Sequence, residues 1–77
     1  MTASERYLIL VEGGPPSNYS AWSPEVLGCV AVGDTIEECV EEMRGALAGH
    51  LELMREDGEA IPEPYGPGVY VRHGAAA

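Results

Sequence analysis

Positive charge is scarce in this sequence. Lys and Arg together number four against thirteen Asp and Glu, for a formal net charge of −9. The four cations are Arg6, Arg44, Arg55 and Arg72, scattered along the chain. A nucleic-acid groove needs clustered cations, so direct nucleic-acid binding is not expected. A basic protein partner suits this field, although acidity also serves solubility alone. Cysteine is scarcer still. Cys29 and Cys39 allow at most one disulfide, which is not the cysteine density of a secreted scaffold and argues for a reducing cytoplasm. Long apolar runs are missing too. The run Tyr7 to Val11 is far too short to cross a bilayer, so no membrane association is expected. The N-terminus also lacks the basic region and apolar stretch of a signal peptide.

The motifs of catalysis and metal binding are equally thin. Gly13-Gly14 is followed by two prolines rather than by a helix, so it does not cradle a phosphate. No serine sits in a nucleophile-elbow context. Cys29, Cys39, His50 and His73 do not reproduce a zinc-site spacing. No catalytic, cofactor or metal site is expected, and the chain reads as non-enzymatic. His50 falls on an apolar helix stripe and reads as a packed residue, while His73 reads as part of an exposed tail.

What is present is a globular pattern. The hydrophobic share of 45% in 77 residues fits one small domain over 1–77, with its core at about 6–72 and a frayed tail at 73–77. Arg6 to Glu12 reads as a strand apolar on both faces, as a sheet covered on both sides would require. A turn-rich loop, 13–18, leads to a second strand, Tyr19 to Ser23, ended by Pro24. Gly28 and Gly33 bracket a third, Cys29 to Val32. Thr35-Ile36-Glu37-Glu38 has the form of a capping box, with Asp34 as a rival cap. Ile36, Cys39, Val40, Met43, Leu47, Leu51 and Met54 then lay one stripe along a helix over 35–57, with Gly58 suited to its C-terminus. After an extended connector at 61–64 and a turn at 65–68, Val69 to Val71 reads as the last strand.

This order predicts an α+β fold: one β-β-β-α-β domain with an antiparallel meander, a fourth strand parallel to the first, and one helix on one sheet face. The second face then needs a cover, either another copy of the chain or a different protein. The candidate interface residues are Leu8, Leu10 and Trp22, with Tyr19 and Glu25 beside them. Strand alternation sets Trp22 opposite Tyr19, Ala21 and Ser23. Glu37, Glu38, Glu41, Glu42, Glu52 and Glu56 read as a solvated helix face or as a docking face for a basic partner.

The string Tyr19-Ser-Ala-Trp-Ser-Pro24-Glu-Val-Leu-Gly28-Cys29, then Gly33-Asp34-Thr35-Ile-Glu-Glu38, and later Glu56-Asp57-Gly58-Glu59-Ala60-Ile61-Pro62-Glu63-Pro64, resembles the HicB-like antitoxin family. The resemblance covers roughly residues 7–72. It implies a partial ribonuclease-H-like sheet without that enzyme's carboxylates, and a homo-oligomer such as a dimer or tetramer. It also implies neutralisation of a HicA-type toxin, a small basic protein that cleaves messenger RNA. The motif residues Pro24, Glu25, Gly28, Cys29, Gly33, Asp34 and Thr35 then serve mainly as turn, cap and helix start. Many members carry a further C-terminal DNA-binding domain; this chain is expected to be a short form without one. The family also includes solitary short members, so the alternative function is a homo-oligomeric protein with a scaffold or small-molecule-binding role and no toxin.

Overall fold

Alternating apolar residues at Tyr7, Ile9 and Val11 need one dry side, and the chain supplies it with a single helix. A computed structural model describes residues 6–64, 66 and 68–73, the last two as backbone. The elements are β1 (Leu8–Gly13), β2 (Tyr19–Trp22), β3 (Val30–Gly33), α1 (Ile36–Glu56) and β4 (Gly68–His73). The sheet order is β3-β2-β1-β4. β1, β2 and β3 form an antiparallel meander, and β4 lies parallel to β1. This is the expected α+β order, with a mixed four-stranded sheet.

The strand limits differ from those read in the sequence. β1 begins at Leu8 and includes Gly13, whose φ of +120° carries the chain into the loop. There the Gly14 N–H donates to the Asn18 carbonyl at 3.3 Å. β2 stops at Trp22, one residue before Ser23, and β3 is shifted to Val30–Gly33, leaving Cys29 in the preceding turn. β4 is longer than expected because it pairs with all of β1, from Leu8↔Gly68 to Gly13↔His73. His73 is therefore a strand residue and not part of a tail. The expected frayed residues 74–77 lie outside the described residues, as do Tyr65 and Pro67 of the expected turn.

Thr35 settles the choice of cap. Its hydroxyl accepts from the Glu38 N–H at 3.1 Å, satisfying one of the free amides of the first turn. The Glu38 carboxylate accepts from the N–H of Asp34 at 3.2 Å, one residue before the position a standard capping box would use. At the other end, Glu59 N–H donates to the Met54 carbonyl at 2.9 Å and Gly58 N–H to that of Arg55 at 3.2 Å. These two bonds make a Schellman motif. Its left-handed position falls on Gly58 at φ +75°, where glycine alone carries no Cβ penalty.

The helix stripe lies on the sheet. Cys39, Met43, Leu47 and Leu51 are buried against Tyr7, Ile9, Val11, Ala21, Val26 and Cys29, with Val40, Ala46 and Met54 at the margin. Each fully buried large side chain here contributes roughly 1.5–3 kcal/mol relative to exposure. The helix packs mainly over β3, less over β2 and β1, and at most marginally against β4. Its start passes so close to β3 that a Cβ on Gly33 would sit 2.6 Å from the Cys39 amide nitrogen.

Candidate functional site

The strand register fixes what the other sheet face presents. Val30 pairs with Trp22, Trp22 with Leu10, and Leu10 with Tyr70. Partners directly opposite in a sheet point to the same side, so one apolar row crosses all four strands. Val32 and Leu8 lie on the same side, two residues along their strands. No element of the described chain covers this face: Trp22 is 40% exposed, Val32 60%, Tyr70 66% and Val30 70%. Leu8 and Leu10, on the two-sided strand β1, are half-buried. A shallow depression opens between Leu10, Trp22 and Tyr70, with Glu12 at its border.

Of the five residues expected at an interface, Leu8, Leu10 and Trp22 come together here. Tyr19 does not. It points to the helix side, packed against the core, with its ring over Gly14. The alternation that sets Trp22 opposite Tyr19 already separates the two. Val30, Val32 and Tyr70 join the face instead. The two valines escape sequence reading because Cys29, Ala31 and Gly33 on the other side of the same stretch are also small or apolar, so neither side is marked as outward.

Glu25 does not belong to this face either. It is buried, and its carboxylate accepts from the Leu8 N–H at 2.5 Å. The cause is Pro24. β2 turns away there, so β1 loses its ladder partner at its first residue, and the side chain of Glu25 supplies the acceptor that the strand no longer does. The turn is held by Ser23, whose buried hydroxyl accepts from the Glu25 N–H at 3.3 Å. Glu25→Ala is expected to cost about 1–3 kcal/mol of stability, because it leaves a buried amide unpaired. Glu25→Gln, which keeps an acceptor, is expected to cost less. Urea unfolding of the three proteins measures the order.

The remaining candidate groups serve packing. Burial pushes the Cys29 thiol up from its ordinary range. Burial does the same at Cys39, with a smaller push from the charge of Glu38. Both are therefore thiols at neutral pH, the unreactive form. The Tyr7 hydroxyl donates to the Pro62 carbonyl and ties the connector after α1 to the foot of β1; burial, then the charge of Glu25, raises its pKa. His50 is half-buried beside Cys29 at the margin of the helix. Among the described residues no group of three His, Cys, Asp or Glu side chains is placed to hold a metal ion. No described helix is long and apolar enough to cross a membrane.

The family model for the HicB-like antitoxin of bacterial toxin–antitoxin systems matches residues 7–72. An uncharacterised 14.9 kDa protein from the rep-hol intergenic region of Haemophilus phage HP1 is 40% identical over 40 residues, 52% of this chain and 30% of the phage protein. A UPF0150 protein of Synechocystis is 28% identical over 57 residues, 74% of this chain and 72% of that one. The match thus spans less than a third of the phage protein. With the family pattern running from Tyr7 at the foot of β1 to Arg72 in β4, the chain belongs to the HicB-like antitoxin family of bacterial toxin–antitoxin systems.

Proposed function

We propose that this chain is an antitoxin that binds and neutralises a small basic HicA-type toxin, and that its uncovered sheet face is a protein interface. The observation that carries the interface is the apolar row Val30, Trp22, Leu10, Tyr70. Monomeric proteins rarely leave a contiguous apolar face to water. The antitoxin reading is supported by the family and by a net charge of −9, which attracts a basic partner over long range. The role is binding rather than catalysis, exercised in the cytoplasm where messenger RNA is cleaved. The β3-β2-β1-β4 order with β4 parallel to β1 also supports kinship with the ribonuclease-H-like sheet.

A second reading has its own support. The row itself carries no charge, with Glu12 only at its border, so two copies of this acidic chain can meet on its apolar side chains. That observation supports self-association, and with it the alternative of a homo-oligomer with a scaffold or small-molecule-binding role and no toxin.

Light scattering separates the two. The chain is measured alone and with a HicA-type protein from the same source. A co-migrating complex that weakens between low and high salt is the expected result, since screening shortens the reach of charge attraction to about 3 Å at 1 M ionic strength. A stable homo-oligomer that leaves the HicA-type protein free would overturn the antitoxin reading and favour the second.

A further inference from the structure

A different surface of the molecule carries the charge pattern that a basic partner would read. A groove of about 350 Å³ runs between the start of β3 and the C-terminal half of α1, lined by Cys29, Val30, Ala46, Gly49, His50 and Leu53. Apart from the His50 imidazole its walls are apolar, and they are open for side chains of this size: Leu53 is 60% exposed, and Leu27, just before Gly28 at the groove's edge, is 80% exposed. Gly49 leaves it room, because a Cβ built there meets nothing within 4 Å.

The helix flank beside this groove carries one sign of charge. Glu42 stands one turn before Ala46 and Glu56 one turn after Leu53, both exposed. The two helix arginines lie elsewhere. Arg44 is two residues from Glu42 and Arg55 two residues from Leu53, which is roughly 200° around a helix of 3.6 residues per turn. Arg55 is in addition held by Glu52 at 3.2 Å. The groove flank of α1 is therefore carboxylate at both ends and, His50 apart, apolar between, with its arginines turned to the opposite flank.

We infer that this groove, and not the sheet face, takes the toxin: it seats a segment of a basic partner that presents apolar side chains between Lys or Arg residues. The inference rests on the antitoxin reading for the identity of the partner. It divides the labour of the molecule by chemistry. The uncharged row on the sheet is suited to a second copy of the chain, and the apolar groove between carboxylates is suited to a cation-flanked segment.

Gly49 provides the test. Gly49→Trp fills the groove, and Gly49→Ala leaves most of it open. Both replace a glycine in a helix interior at a position with free space, so the fold tolerates them. Isothermal titration with the same HicA-type protein is expected to show at least a 100-fold weaker Kd for Gly49→Trp and a Kd within threefold of the unsubstituted chain for Gly49→Ala. Trp22→Asp, on the sheet face, is expected to keep its toxin affinity within threefold. Binding by Gly49→Trp as tight as that of the unsubstituted chain would overturn the groove assignment and leave the antitoxin reading standing. So would loss of binding in Trp22→Asp with Gly49→Trp unaffected. Failure of the unsubstituted chain to bind would overturn both.

Discussion

Replacing Gly33 by valine is expected to remove most of the chain's folding stability. A Cβ at this position would stand 2.6 Å from the Cys39 nitrogen and 2.8 Å from its Cα. Both are backbone atoms of the first helix turn and have no rotamer to yield. The clash can be relieved only by lifting α1 away from β3, where most of its packing lies. Overpacking costs typically 1–3 kcal/mol when side chains can adjust, and here they cannot, so about 3 kcal/mol is a lower bound. A chain of 77 residues has only about 5 kcal/mol to lose. Urea unfolding followed by circular dichroism checks this, with Gly33→Ala expected to fall between the two. A valine variant with an unchanged midpoint would show that the helix is free to shift outward and that its close seating on β3 is not required.

Trp22→Asp is expected to have the second largest effect, on assembly rather than on folding. Trp22 stands in the middle of the apolar row between Val30 and Leu10. It is 40% exposed, so a charge there meets water in the isolated chain and costs little. In a face-to-face pair it would be buried without a partner. Central aromatic residues contribute about 2–4 kcal/mol or more to interfaces, equivalent to roughly a 30- to 1,000-fold weaker association at about 1.4 kcal/mol per factor of ten. Light scattering over a concentration series is the measurement. The unsubstituted chain is expected as an oligomer and Trp22→Asp as a monomer with an unchanged unfolding midpoint. A substituted chain of unchanged mass would remove the sheet face from consideration as the self-association surface.

The two predictions separate kinds of knowledge. Trp22 was readable as outward-facing from alternation alone, since Ala21 and Ser23 on either side of it share the opposite face. Gly33 reads in sequence only as a bracket after a short strand. Its necessity comes from the distance to a helix turn six residues on, and no local pattern reports that distance. Glu25 shows the same limit more sharply. A glutamate in a turn reads as exposed because carboxylates are seldom buried unless paired. Its partner is the Leu8 amide, 17 residues earlier, left without a ladder bond by the proline next to it.

By itself the sequence determined the local structure of this protein: the strand, strand, strand, helix, strand order, the helix start at Asp34 or Thr35, the Gly58 terminus and the buried stripe Cys39, Met43, Leu47, Leu51. Each of these is set by contacts within a few residues, through periodicity, hydrogen bonding to the nearest amides, or a single φ. The tertiary structure alone decided which apolar residues stay uncovered. β1 is apolar on both sides, and only the seating of α1 over β3 makes Ile9 and Val11 core while Leu8 and Leu10 face outward. It also decided that Val30, Trp22, Leu10 and Tyr70 form one row, because strand register joins residues from four separate stretches of chain. The groove beside Gly49 arises in the same way, from the crossing of a helix and a strand whose facing residues lie about twenty positions apart.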